Sequence, residues 1–215
     1  LGVDEGDEII VPSLTFTATA EVVRYLGANV KLVDVNPATL NIDPEAIRRA
    51  ITSRTKVIML VHYAGLSCNM SEILSLAKEF ELKVVEDAAH ALPTTYRGDM
   101  IGSLESDITV FSFYANKTMT TGEGGMVVTN NKQVYDKCAA VHDHGHENNP
   151  DFPRWEDTRS GTGFNYRMTE MQGAVGLAQL EKLDYIVSSQ RANKEKILAV
   201  LKTFSEIELR RHPEG

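Results

Sequence analysis

Two short segments hold side chains whose types and placement could do chemistry. One is Phe111-Ser112-Phe113-Tyr114-Ala115-Asn116-Lys117-Thr118-Met119-Thr120-Thr121-Gly122-Glu123-Gly124-Gly125, with a single amine, Lys117, on a short polar loop. The other is Val84-Val85-Glu86-Asp87-Ala88-Ala89-His90, an apolar run that ends in an acid. An amine and a strand-end carboxylate are what pyridoxal 5'-phosphate (PLP) requires. The amine condenses with the cofactor's aldehyde, and the carboxylate keeps the pyridine nitrogen protonated so that the ring can take up electrons. Most lysines are solvated surface residues, but Lys117 lies between an apolar run and a glycine cluster that lets backbone approach a flat ligand.

Other residues stand near these two in the pattern. His90 could stack on the cofactor ring or be a satisfied core histidine, and Asp87 could equally cap the turn Ala88-Ala89-His90. Ser112 could donate its hydroxyl to the phosphate. Thr15 and Phe16, in Pro12-Ser13-Leu14-Thr15-Phe16, and Tyr63, in His62-Tyr63-Ala64-Gly65, follow strand patterns and are candidates for lining the pocket. Asn165, in Gly163-Phe164-Asn165-Tyr166-Arg167-Met168, precedes a helical pattern. His142, Asp143, His144 and His146 have the look of a metal cluster, but no matching ligand set lies elsewhere. We therefore expect no metal and read His144 as part of a loop bordering an anionic substrate.

The elements that must carry these side chains are legible from periodicity. Short β-rich runs at 8–11, 29–33, 57–61, 83–86, 108–113 and 126–129 alternate with helical patterns, and several are apolar throughout, as in strands covered on both faces. Asp43-Pro44 predicts an N-cap and first helical residue, opening a helix to about Thr52. Asn69 with Glu72 predicts a second helix, with Met70, Ile73, Leu74, Ala77 and Phe80 as its apolar stripe. A long polar loop is expected over 141–162. One helix is predicted from Met168 through Ile186, with Met168, Met171, Val175, Ala178, Leu183 and Ile186 along one side, and another from Ser189 to Phe204. Strand–helix–strand repetition implies a mainly parallel sheet with right-handed crossovers.

The bulk numbers narrow the function classes. Twenty-two basic against 30 acidic residues among 215 give a formal charge of −8, which argues against nucleic acid or an anionic membrane as the main partner. No apolar run approaches the roughly 18 residues of a membrane span. Cys68 and Cys138 are too few for a disulfide framework, so a reducing cytoplasm is expected. No Gly-x-Gly-x-x-Gly turn follows an early strand, which disfavours a nicotinamide-binding domain.

Five blocks in order carry a resemblance: Gly6-Asp7-Glu8-Ile9-Ile10-Val11-Pro12, His62-Tyr63-Ala64-Gly65, Glu86-Asp87-Ala88-Ala89-His90, 111–125, and Gly163-Phe164-Asn165-Tyr166-Arg167-Met168-Thr169. Together they resemble the DegT/DnrJ/EryC1/StrS sugar aminotransferases, of the fold type I PLP enzymes. The resemblance implies an α/β chain, the three-layer α/β/α large domain of that fold. It implies that Lys117 is the Schiff-base lysine, Asp87 the partner of the pyridine nitrogen, His90 the residue on the ring face and Ser112 a phosphate ligand. Asn165 matches an asparagine that reaches the phosphate of a neighbouring subunit, so a homodimer with shared sites is expected. Relatives that dehydrate sugars have His at the Lys117 position; lysine favours transamination. The implied reaction moves an amino group from an amino acid, with glutamate the donor the resemblance suggests, to a nucleotide-linked keto-sugar or a keto-sugar acid for surface polysaccharide or lipopolysaccharide. The run His142-Asp143-His144-Gly145-His146 with Phe164-Asn165-Tyr166-Arg167 is most similar to the branch acting on eight-carbon sugar acids. A PLP-fold regulator and a PLP-dependent sugar dehydratase are the competing expectations.

The resemblance also sets expectations about extent. Residues 1–187 match the PLP-binding large domain, and 188–215 a connecting helix toward a small C-terminal domain. An N-terminal phosphate-gripping segment of the family would precede Leu1 and the small domain would follow Gly215, so a fragment is expected.

Overall fold

The computed structural model describes residues 1–212. Six strands form one sheet: β1 (Glu8–Pro12), β2 (Asn29–Val33), β3 (Thr55–Val61), β4 (Lys83–Asp87), β7 (Ile108–Ser112) and β8 (Gly125–Val128). Their order is β2-β1-β3-β4-β7-β8. The first five are mutually parallel and β8 runs antiparallel at the edge, pairing Phe111 with Met126 and Ser112 with Gly125. A small antiparallel pair, β5 (Thr95–Tyr96) and β6 (Asp99–Met100), stands apart.

Side chains alternate across a strand, and the two faces are covered by different helices. Ile10, Ile58, Leu60 and Val84 pack with Ile47 of α2 (Pro44–Ala50) and Met70, Ile73 and Leu76 of α3 (Met70–Glu79). Ile9, Val11, Val57 and Val85 pack with Val23 of α1 (Ala18–Tyr25). This is the expected α/β/α layering. It assigns Glu86 to the α2/α3 face with Val84, and Asp87 to the α1 face with Val85.

The expected strands are present, each end within two residues of its predicted bound. Asp43 caps α2, its side chain accepting from the Glu45 amide at 3.1 Å. Asn69 precedes α3 as anticipated, but it makes no cap bond. Its amide group donates to Glu72 at 2.6 Å instead. Leu76 is buried in the α3 stripe, whereas Phe80 is 38 % exposed at the helix end.

The C-terminal helices differ from the sequence reading. The chain forms α4 (Lys132–His142), then α5 (Glu170–Leu180) and α6 (Leu183–Leu201), so the break falls at Glu181-Lys182 and the second helix starts at Leu183 rather than Ser189. Thr169 opens α5 with a capping box to Gln172. Neither helix buries a residue; Met171 and Val175 of the expected apolar side are 79 % and 47 % exposed.

The polar stretch after α4 is folded on itself. The Asp157 carboxylate accepts from the Asn148 amide at 2.9 Å and meets His146 Nδ1 at 3.2 Å, while Arg154 holds Asp143 at 2.9 Å.

Candidate active site

In open α/β sheets, ligands gather at the carboxyl ends of strands, near the point where strand order reverses. Here that edge carries Pro12, Val61, Asp87 and Ser112, with the reversal between β1 and β3. Lys117 sits beyond β7 on a loop closed at its base. Phe113 N–H donates to Gly124 O (2.8 Å), Thr121 N–H to Phe113 O (2.9 Å) and Thr120 Oγ1 to the same carbonyl (3.2 Å). Buried Met119 anchors the loop against Ala88, Ala91 and Phe111. Lys117 N–H closes a turn onto Tyr114 O at 3.0 Å. Gly125 is required by close approach: a Cβ there would lie 2.9 Å from Phe111 O. The Lys117 ammonium has no ion-pair or hydrogen-bond partner among the described residues, and the side chain is half-buried.

Lys117 lines a cavity of about 230 Å³ with Ala64, Ala89, His90, Asn116 and Thr118. Asp87 lies two residues before Ala89. Its Oδ1 accepts the Ala89 amide at 3.0 Å, and its Oδ2 accepts the Thr19 hydroxyl at 2.9 Å. Thr15, in the bend before α1, and Thr19, in its first turn, share a hydrogen bond of 2.7 Å. Each Asp87 oxygen therefore has one donor and a lone pair to spare. The local turn bond that could have been the whole role of Asp87 is present, but only one of its oxygens makes it.

His90 is tuned by its surroundings. Burial lowers its proton affinity below the ordinary histidine value, the Lys117 ammonium adds to that, and the Asp87 carboxylate opposes it. His90 Nδ1 accepts the Ala64 amide at 3.3 Å, so the ring proton belongs on Nε2. The Tyr63 ring meets it edge-on, centroids 6.4 Å apart. Gly65 serves the same turn, with φ +79° and a would-be Cβ only 3.0 Å from His90 O.

Lys117, Asp87, His90, Thr15 and Tyr63 are thus drawn to one edge, with Ser112 at the end of the neighbouring strand and its Oγ accepting the Tyr114 amide at 3.3 Å. Phe16 is 77 % exposed. His144 and Asn165 lie side by side in another segment, where His144 N–H donates to Phe164 O (2.9 Å) and Asp143 bridges to Asn165. Neither lines the cavity, and the Asn165 side chain accepts from Arg167 at 3.0 Å. Three of the four suspected metal ligands turn to separate partners: His142 to Ala139 O, Asp143 to Arg154 and His146 to Asp157. No group of three His, Cys, Asp or Glu among the described residues is arranged around a common point.

Sequence reasoning missed Thr19, Asn116, Thr118 and the cluster around Glu86. Thr19 had a signal, since it lies at i+4 from Thr15. Arg210 also escaped notice: its guanidinium lies 5.4 Å from the Tyr63 ring centroid, and its Nε donates to Thr39 O at 2.5 Å. A larger cavity, about 630 Å³, lies beyond the 63–68 turn, among Asn41, Asp43, Ser67, Tyr96 and Arg191. It does not contain Lys117, whose amine lines the smaller one together with His90.

Glu86, adjacent to Asp87, is fully buried. Burial pushes its carboxyl up, but hydrogen bonds from His62, Ser106 and Thr109 prevail and hold it below its ordinary value of 4.5. A depressed carboxyl stabilises the fold above the unfolded value and loses that contribution as pH falls through the folded one. Stability measured by denaturant should therefore fall as pH drops below 4.5, and Glu86→Gln should flatten that slope. Equal slopes in parent and variant would remove Glu86 as the source.

An unpaired amine and an imidazole of lowered proton affinity around one cavity, with a carboxylate of free lone pairs two residues before its lining, fit a ligand with an aldehyde and a basic ring nitrogen. That is the donor set of a PLP-dependent enzyme built on a parallel α/β sheet. The chain belongs to the DegT/DnrJ/EryC1/StrS aminotransferase family, which it matches over residues 1–214. It is 47 % identical over 184 residues to a GDP-perosamine synthase of Caulobacter vibrioides, covering 86 % of this chain and 48 % of that protein. A GDP-perosamine synthase of Escherichia coli O157:H7 is 44 % identical over 191 residues, with 89 % and 51 % covered. The aminotransferase structure from Psychrobacter cryohalolentis superposes with a TM-score of 0.89 at 38 % identity, over 97 % of this chain and 55 % of that one. The chain spans about half the length of the curated relatives it matches.

Proposed function

We propose that this chain carries the catalytic half of a PLP-dependent sugar aminotransferase, transferring an amino group from an amino acid such as glutamate to a nucleotide-linked keto-sugar for surface polysaccharide synthesis. The observation that carries this reading is the unpaired Lys117 amine in one cavity with His90, above an Asp87 whose oxygens are each engaged by a single donor. When bound, PLP supplies an aldehyde that condenses with amines and a protonated ring that accepts electrons. Lys117 would hold it through Nζ, Asp87 would accept its ring N–H, His90 would cover one face and Ser112 would donate to its phosphate.

With the amino donor in place, the released Lys117 Nζ acts as general base and takes the proton from the donor's Cα. Water would release the donor as its keto acid, its nitrogen staying behind on the bound group, before the keto-sugar enters and gives up its carbonyl oxygen as water, which is ping-pong order. Lys117 Nζ then returns a proton to the former carbonyl carbon of the sugar. Asp87, held by Thr19 and the Ala89 amide, would present its carboxylate to the ring nitrogen throughout. Lysine at position 117 opposes the dehydratase reading, because the dehydrating branch has histidine there. The names of the relatives favour a GDP-linked keto-sugar over an eight-carbon sugar acid.

On this reading residues 1–187 are the cofactor-binding domain and 188–215 lead toward a second one, with α6 crossing that boundary. Exposed Asn165, whose Oδ1 takes the Arg167 Nε–H, would turn its amide toward a second copy, giving a homodimer with shared sites. No helix among the described residues is long and apolar enough to cross a membrane, which is compatible with work in the cytoplasm. The test is a visible spectrum of the intact protein with PLP, then borohydride reduction and peptide mapping, then glutamate with a GDP-linked keto-sugar. We expect a Schiff-base band, label on Lys117 and an aminated sugar with 2-oxoglutarate. A band without aminated product points to dehydration or regulation, and no band overturns the reading.

A further inference from the structure

Beneath the carboxyl ends of β3, β4 and β7 lies a buried polar cluster that the chemistry above does not use. His62 and Glu86 are both 0 % exposed. His62 Nδ1 accepts the Cys68 amide at 3.1 Å, so the ring proton lies on Nε2, which donates to Glu86 Oε2 at 2.7 Å. The other Glu86 oxygen accepts the hydroxyls of Ser106 and, at 2.8 Å, Thr109. A satisfied buried pair of this kind is weak evidence for stability. Its connections point elsewhere.

The His62 amide donates to Asp87 O at 3.1 Å, and the His62 carbonyl accepts Gly65 N–H at 3.2 Å. That turn carries the Ala64 amide, which bonds His90 Nδ1, and the Tyr63 ring, which meets the His90 edge. Glu86 and Asp87 are successive strand residues facing opposite sides of the sheet, so anchoring one from below fixes the direction of the other above. One residue, through its ring, amide and carbonyl, ties together the acid at the end of β4 and the imidazole that lines the cavity.

We propose that His62 is a positioning residue: through Glu86 it aims the Asp87 carboxylate, and through the 63–65 turn it seats His90. The proposal rests on the reading that Asp87 and His90 hold PLP. A purely structural pair and a positioning pair part company once the network is replaced by apolar side chains of similar volume, because such replacement commonly preserves the fold.

The experiment is His62→Phe/Glu86→Met in the intact protein, with His62→Gln as the variant that keeps an N–H toward Glu86. Four quantities are read: melting temperature, PLP dissociation constant, kcat against glutamate KM, and the ring nitrogen-15 shifts of His90. We expect the double variant to bind PLP about tenfold or more weakly and to lose about tenfold in kcat, with glutamate KM within about twofold, as for other outer-layer supports of a site. The His90 shifts should move from a single Nε2–H tautomer toward a mixture, and His62→Gln should recover most of each change. A folded double variant with parental PLP affinity, kcat and His90 shifts overturns the proposal. Should the double variant not fold, Thr109→Val removes one Glu86 donor at constant volume. Altered His90 shifts there support the proposal, and unchanged ones overturn it. Failure of the functional reading would be separate: the parent would show no Schiff-base band, while the His90 shifts of the cofactor-free protein would still judge the role of His62.

Discussion

Replacing Lys117 by alanine is expected to lower kcat by at least about 10⁴-fold, since general acid–base catalysis alone contributes roughly 10²–10⁴ and covalent holding of the cofactor is lost with it. The Schiff-base band should vanish and borohydride should trap nothing. The fold should survive, because the Lys117 side chain makes no ion pair or hydrogen bond among the described residues and the loop is held instead by Phe113, Thr120, Thr121 and Met119. Lys117→Arg separates charge from chemistry. It keeps a cation beside His90, but a guanidinium does not deprotonate in proteins, so it should be as inactive as alanine. Absorbance, trapping and steady-state turnover on the two variants check this together. An alanine variant working within tenfold of the parent would remove Lys117 from the chemistry.

The strands around this lysine were readable because burial on both faces leaves an uninterrupted apolar run, as in Val57-Ile58-Met59-Leu60-Val61. Asp87 was readable for the complementary reason, an acid where such a run stops. Helix α1 was not anticipated. Its eight residues include Val22 and Val23, poor helix formers, and its preceding Thr17 makes no capping bond. Packing of Val23 against Ile9 and Val11 holds it in place. Nor does any Gly or Pro mark the break between α5 and α6, so periodicity alone ran the two together past Glu181.

The site divides along the same line. Residues that follow a strand in sequence, such as Tyr63, Asp87 and Lys117, could be found locally. Thr19 reaches Asp87 across 68 positions, and His62 meets Glu86 across 24; neither spacing has a local signature. The histidine-rich run at 142–146 pointed the other way. It looked like one constellation, yet the chain turns sharply at His144 (φ +55°) and Gly145 (φ +82°) and sends the side chains to different partners.

Asp87→Asn is the sharpest test of the electrostatic half of the site. The amide is nearly isosteric, and the surroundings can accept it. Oδ1 can still take the Ala89 N–H, and the Thr19 hydroxyl, now facing an NH₂, can turn to accept from it and donate instead to Thr15. The fold and the Lys117 Schiff-base band should therefore persist. What disappears is the fixed negative charge at the ring nitrogen, and with it the preference for a protonated ring. We expect kcat to fall by about 10²–10³-fold, the range found when one preorganised electrostatic contact is removed from a reacting centre. Glutamate KM should change little, because substrate binding does not depend on that charge. Thr19→Val should give a smaller loss of the same kind, since it removes a donor to Asp87 while leaving the carboxylate. An asparagine variant within about threefold of parental kcat, with the band intact, would mean that Asp87 caps its turn and nothing more.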